Sequence, residues 1–93
     1  MIYKNLPVSF RFSTSDEVFD VEAKMNVWWH EDESWRHDTP VLVIDCMAFT
    51  EVEVNGKRLV SWYEIKRFVN LYQDFFWGDL EWIARQSLAS RLD

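Results

Sequence analysis

The segment from His30 to Asp38 concentrates the side chains of this sequence that could bind a metal ion. Its candidate ligands are the imidazoles and carboxylates of His30, Glu31, Asp32, Glu33, His37 and Asp38. Imidazole nitrogens and carboxylate oxygens are ligands for zinc or for harder cations. Their spacing matches no metal-binding motif, and the composition is typical of a solvated acidic loop. We therefore predict no metal site and no cofactor.

Nucleophilic or acid–base catalysis has no recognisable arrangement in this chain. The only glycines are Gly56 and Gly78, so the sequence contains neither a nucleophile elbow nor a glycine-rich phosphate loop. Glu51 and Glu53 could exchange protons. On a strand they would lie about 6.7 Å apart on one side, and an open sheet face gives little desolvation to raise a carboxyl pKa. We expect no enzymatic activity.

Acidic and large apolar side chains alternate with core positions along two of the predicted strands. The alternation places one set on a single sheet face, with Lys24 and Arg11 as the opposing charges: Asp20, Glu22, Trp28, Asp45, Met47, Phe49, Glu51 and Glu53. Further candidates come from the acidic loop and the last helix: Glu31, Asp32, Glu33, Trp35 and Trp82. Apolar groups within a polar surround, with tryptophan among them, are typical of a protein-binding surface. The alternative is that the loop from 30 to 40 folds over this face and covers it.

Charge and composition exclude several classes of partner. With 16 acidic and 10 basic residues the net charge is −6, which disfavours nucleic acid and anionic membranes and favours a basic partner. The longest aliphatic run, Val41 to Ile44, is far short of the roughly 20 residues of a membrane helix. Cys46 is the only cysteine, which fits a reducing compartment. We expect a cytoplasmic protein.

These observations favour a non-enzymatic module that docks on a basic site of a partner protein. In the sharper version the partner handles nucleic acid, and the outward carboxylates occupy the groove that phosphates use. In its size, acidity, tryptophan content and lack of motifs, the chain resembles many phage or mobile-element accessory proteins that inhibit a host enzyme or defence complex. Two alternatives stay open: a homodimer that pairs through the open sheet face, and a small-ligand or metal-binding domain with an aromatic cleft.

The strands that must position these residues are predicted from an apolar period near two, which holds to about residue 54. We predict strands at about 6–13, 18–29, 41–54 and 57–60. Turns are indicated at Thr14 to Glu17 and at Asn55-Gly56. In the third strand the inward set is Leu42, Ile44, Cys46, Ala48, Val52 and Val54. A bulge near Thr50 would reverse this assignment locally.

After the strands the apolar period approaches 3.6, which predicts helices at about 62–77 and 80–92. Ser61 and Glu64 have the spacing of a capping box. Gly78 is predicted to end the first helix and Asp79 to cap the second. The first helix would turn inward Trp62, Ile65, Phe68, Val69, Tyr72, Phe75 and Phe76. The predicted fold is a single α+β domain spanning 1–93, an antiparallel β-meander with both helices on one face.

Overall fold

Four antiparallel strands and one long helix build the protein in a computed structural model, which describes residues 1–32 and 41–92. The strands are β1 (Ile2–Ser13), β2 (Val18–Asp32), β3 (Val41–Val54) and β4 (Lys57–Leu59), and the helix is α1 (Trp62–Leu92). The sheet order is β1-β2-β3-β4, with every neighbouring pair antiparallel. The α+β class and the antiparallel meander predicted from the sequence are therefore confirmed.

The two predicted turns close the meander by hydrogen bonds that the sequence pattern indicates. The Thr14 hydroxyl accepts hydrogen bonds from the Asp16 and Glu17 amides at 3.3 and 3.1 Å. Asn55 and Gly56 adopt φ angles of 51° and 82°, the left-handed conformation that a two-residue hairpin requires. The side-chain oxygen of Asn55 also accepts the Asp20 amide at 2.8 Å, which ties this hairpin to β2.

Pairing extends farther at the start of β1 and the end of β2 than the sequence predicts. Asn5 has a φ of 57° at a break in the β1–β2 register, and its amide donates to the Asn26 side chain at 3.1 Å. Pairing resumes beyond this bulge, so that β1 begins at Ile2. β2 continues to Asp32 because its last residues pair with the beginning of β3 at Val41.

An aromatic core fills the space between the sheet and α1. The ring of Phe12 lies 5.0 Å from that of Phe19 and 5.1 Å from that of Phe76, centroid to centroid. The six predicted inward residues of β2 are all buried: Phe19, Val21, Ala23, Met25, Val27 and Trp29. The period-two pattern of this strand therefore predicts its buried face correctly.

Two bulges in β3 reverse part of the predicted face assignment. Thr50 and Asp45 of β3 have no Cα partner on β2, whereas the residues on either side of each are paired. Each is therefore the extra residue of a β-bulge. One extra residue moves every following side chain to the other face. Met47 and Phe49 are consequently 8% and 4% exposed and belong to the core, so their predicted place on the outer face is wrong. Cys46, predicted to face inward, is exposed.

The capping box at the start of the helix is confirmed. The Glu64 amide donates to the Ser61 hydroxyl at 3.2 Å, and the Glu64 carboxylate accepts the Val60 amide at 2.9 Å. The first bond satisfies a backbone donor that an uncapped helix leaves free, and the second reaches back one residue past the cap, to Val60 instead of Ser61.

The predicted division into two helices is wrong, because α1 runs through Gly78 without interruption. Gly78 does not adopt the left-handed conformation of a helix terminator. Glycine in a helix interior costs about 1 kcal/mol relative to alanine. The burial of Phe76 and Leu80 on either side, at 1% and 0% exposure, offsets that cost.

Two of the predicted inward side chains of the helix are exposed instead. Trp62, at 63% exposure, is the first residue of α1, and Phe75, at 50%, lies at the margin of the apolar stripe. Phe75 still contacts the core on one side, since its ring lies 6.4 Å from that of Phe12.

Replacement of Phe68 by alanine tests the buried face of α1. Phe68 is 8% exposed, and its ring lies 5.2 Å from Tyr72 and 6.0 Å from Phe76. We expect Phe68→Ala to lower the free energy of unfolding by about 3–5 kcal/mol in urea denaturation. The exposed Gln73→Ala is the matched control and should change it by no more than about 0.5 kcal/mol. Equal effects of the two variants would show that the helix face is misassigned.

Candidate functional site

The sheet face opposite α1, here called the outer face, carries ordered rows of polar side chains. In one row Ser9 of β1 pairs with Glu22 of β2, which pairs with Glu53 of β3 and then Arg58 of β4. Side chains directly opposite each other in such rows have Cβ atoms about 4.5–5.5 Å apart. The meander therefore brings together charges that are far apart in the sequence.

A shallow groove of about 380 Å³ runs across the middle of the outer face. Its charged lining consists of Glu22, Lys24, Glu51, Glu53 and Arg58. Three predicted candidate carboxylates thus share one groove with two cations. Ser9 and Pro7 of β1 form its other wall.

Ion pairs neutralise part of this negative charge. The Lys24 ammonium lies 3.6 Å from one carboxylate oxygen of Glu51, and the Arg58 guanidinium lies 3.3 Å from the other. The Arg11 guanidinium makes two hydrogen bonds to Asp20, at 2.5 and 3.1 Å. All these side chains are largely exposed, so each pair contributes little to stability.

Glu22 and Glu53 differ from the other carboxylates of the groove. They are direct Cα partners across β2 and β3, and neither forms an ion pair with the residues in 1–32 and 41–92. Like charges directly opposite each other destabilise a sheet. This pair is therefore a local electrostatic cost. Arg58, the Cα partner of Glu53 on β4, offsets only part of it because its guanidinium contacts Glu51, and a cation supplied from outside would relieve the rest.

Apolar surface lies at one end of the outer face. Trp28 is half-buried between Ile2 and Cys46, its Cα partners on the neighbouring strands. Met1, Ile2, Trp28, Asp45 and Cys46 together line a second, shallow depression. Beside it, Nδ1 of His30 lies 2.8 Å from a carboxylate oxygen of Asp45. The outer face thus combines an acidic middle with an apolar end.

The structure brings together six of the predicted partner-binding residues and separates others. The residues that share the outer face are Asp20, Glu22, Trp28, Asp45, Glu51 and Glu53. Met47 and Phe49 lie in the core. Trp82 is 62% exposed but belongs to α1, on the opposite side of the sheet.

The predicted acidic loop falls only partly within the structure. Glu31 and Asp32 are exposed at the end of β2. Glu33 and Trp35 lie outside the described residues. The prediction that the loop from 30 to 40 folds over the outer face also concerns residues outside them.

Sequence reasoning placed Lys24 among the acidic residues of the outer face, but it missed Arg58 and did not identify Glu51 as the contact of Lys24. The position of Arg58 could have been predicted from the sequence. A two-residue hairpin at Asn55-Gly56 places Lys57 opposite Val54 and Arg58 opposite Glu53. The pairing of Lys24 with Glu51 could not have been predicted in this way, since it depends on the register of β2 against β3.

Within the described residues, no three histidine, cysteine, aspartate or glutamate side chains form a group that could hold a metal ion. Glu33, His37 and Asp38 of the predicted cluster lie outside those residues. The helix of the described chain is not apolar enough over its length to cross a membrane. Comparison of the chain with protein-family models, curated proteins and solved structures finds no match.

The Arg11–Asp20 pair predicts a measurable effect of pH. The hydrogen bonds from Arg11 hold the pKa of Asp20 below its usual value of 3.8. Because the folded-state pKa is lowered, the pair stabilises the protein above the unfolded pKa, and this contribution is lost as the pH falls through the folded pKa. A carboxyl NMR titration should find the Asp20 pKa below 3.8, and Arg11→Gln should raise it. An Asp20 pKa that does not respond to Arg11→Gln would contradict this pairing.

Proposed function

We propose that this protein is a non-enzymatic binding module whose acidic outer face docks on a basic surface of a partner protein. The observation that carries the proposal is the Glu22–Glu53 pair, two opposed carboxylates in the middle of a groove. Charge complementarity at an interface contributes mainly specificity and a high association rate. A lysine or arginine of the partner that enters the groove would meet both carboxylates at once.

The cations already in the groove restrict what the partner must present. Lys24 and Arg58 both contact Glu51, so this carboxylate is already compensated. The charge that remains is concentrated on Glu22 and Glu53. The complementary feature is therefore one or two protruding basic side chains, and not a uniformly basic plane.

Trp28 supplies an apolar anchor for the same contact. It lies on β2 six residues beyond Glu22, which corresponds to about 20 Å along the strand. A typical protein interface buries about 800 Å² on each partner, enough to cover both sites. Tryptophan is over-represented among the residues that dominate binding energy. A single partner can thus engage the acidic groove and the apolar end together.

A partner that normally handles nucleic acid is the sharper form of this proposal. Protein surfaces that bind phosphates present lysine and arginine side chains. Such a side chain could pair with Glu22 and Glu53, because the cations of the groove, Lys24 and Arg58, contact Glu51 instead. Docking there would exclude nucleic acid by occupying its site. An inhibitor of the phage or mobile-element kind would act in this way.

Neutralising the two opposed carboxylates should weaken binding to the partner while making the folded protein more stable. We expect Glu22→Gln combined with Glu53→Gln to raise the free energy of unfolding by up to about 1 kcal/mol, because it removes like-charge repulsion. The same variant should bind the partner at least about tenfold more weakly. Capture from nuclease-treated host lysate on immobilised protein, followed by titration of the retained partner, measures the binding loss.

The matched control, Asp16→Asn with Asp79→Asn, removes the same charge from exposed positions away from the groove. It should capture the same protein as the wild type. If the groove variant and the control retain that protein equally well, the outer face is not the docking site. If excess protein fails to release DNA or RNA from the captured partner in a gel-shift competition, the partner is not blocked at a nucleic-acid site.

A further inference from the structure

The solvent side of α1 carries a stripe of residues that is largely exposed in the described chain, although the ring of Phe75 also lies 6.4 Å from that of Phe12 in the core. Its positions alternate in steps of four and three residues, which is the heptad spacing of helices that pair with another helix. The stripe, here called the helix seam, consists of Leu71, Phe75, Gly78, Trp82, Arg85 and Ala89. Leu71, Phe75 and Trp82 are 59%, 50% and 62% exposed. The seam is continuous only because α1 does not stop at Gly78.

Gly78 forms a notch in the middle of this seam. A Cβ atom built there would meet nothing within 4 Å, and the residue has no left-handed φ. No contact among residues 1–32 and 41–92 therefore requires a glycine at this position, where most other residues favour the helix more. The notch lies between two exposed rings, Phe75 one turn before it and Trp82 one turn after it.

We infer that the helix seam binds a second copy of this chain, with the two α1 helices antiparallel. When the pair is centred midway between Gly78 and Trp82, each Trp82 fills the Gly78 notch of the other copy. The same register places Leu71 against Ala89 of the second copy. Trp82 and Leu71 thus face the small residues Gly78 and Ala89, whereas Phe75 faces the long side chain of Arg85. The two-fold symmetry makes every contact occur twice.

Charges at the edge of the seam fit the same register. Arg85 contacts Glu81 at 3.6 Å through Nη2, and its side chain is 40% exposed, so part of the guanidinium stays accessible to a second chain. Asp74 forms no ion pair within 1–32 and 41–92. The antiparallel pairing brings Asp74 of one copy beside Arg85 of the other, on the same flank of the seam. The exposed part of the Arg85 guanidinium then lies next to a carboxylate of opposite charge.

The distribution of net charge favours this face over the sheet for self-association. α1 carries four acidic and four basic side chains and is neutral at pH 7: Glu64, Asp74, Asp79, Glu81, Lys66, Arg67, Arg85 and Arg91. The net charge of −6 therefore lies outside the helix. Pairing through the seam leaves both acidic outer faces pointing away from each other, whereas pairing through the outer faces would press like charges together.

The exposed area of the seam sets the expected strength of the dimer. Aromatic side chains carry about 150–250 Å² each, so half-exposed Phe75 and Trp82 with Leu71 present roughly 300 Å² of apolar surface, a size that often marks an interaction site. This is less than the roughly 800 Å² per partner of a stable interface. We therefore expect reversible dimerisation in the micromolar range.

Sedimentation equilibrium of wild type and Gly78→Gln tests the proposal. Wild-type protein should shift from 11.3 kDa towards twice that mass as its concentration rises through the micromolar range. Gly78→Gln should remain at the mass of one chain, because its side chain fills the notch that Trp82 needs. Its melting temperature in dilute solution should not fall, since the added atoms meet open space in the single chain. Asn70→Gln, at an exposed helix position off the seam, is the matched control and should dimerise like wild type.

A second pair of variants tests the antiparallel register. Asp74→Arg should abolish the dimer by placing two cations together, and adding Arg85→Asp in the same chain should restore it. Wild-type protein that stays at the mass of one chain at all concentrations would overturn the proposal, and so would a Gly78→Gln variant that dimerises like wild type. The inference does not depend on the proposed function, because a monomeric Gly78→Gln protein keeps its outer face intact and should still capture the partner.

Discussion

Among the described residues, the helix α1 covers one face of the four-stranded sheet and nothing covers the other, and this constraint decides which side chains of the sheet turn inward. Apolar residues must turn towards α1, where they bury their surface, and charged residues must turn to the other side. The result is a segregation of charge as well as of hydrophobicity: the sheet and its connections hold the net negative charge, whereas α1 is neutral. We therefore propose different partners for the two surfaces of the molecule: a basic protein for the outer face and an identical helix for the solvent side of α1.

The sequence predicts correctly those elements in which the local apolar pattern agrees with the packing of the folded protein. β2 alternates without exception from Phe19 to Trp29, and its buried face is as predicted. β3 could not be predicted to the same degree, because its side chains change face twice, at Asp45 and at Thr50. A bulge is stabilised by the pairing between two strands and by the contacts of its side chains in the core. The alternation of apolar and polar residues along one strand carries information on neither. The burial of Met47 and Phe49 is the direct consequence.

The same distinction explains the helix and the candidate site. Gly78 has the local character of a helix end, yet the burial of Phe76 and Leu80 on either side holds the chain helical. The outward carboxylates of β2 were predictable from period two alone. Their neutralisation was not, because the contacts of Glu51 with Lys24 and Arg58 depend on the relative register of three strands. What distinguishes Glu22 and Glu53 from their neighbours therefore becomes visible only in the assembled sheet.

The most direct test of this account is the accessibility of the Cys46 thiol, because the composition of the outer face depends on which side chains β3 turns outward. Iodoacetamide labelling followed by intact mass measurement compares the folded protein with the urea-unfolded chain. With the two bulges in place Cys46 is exposed, and we expect the folded protein to be labelled at a rate close to that of the unfolded chain. Protection of the thiol until the protein unfolds would contradict the account, because Cys46 would then face the core and Met47 and Phe49 the solvent.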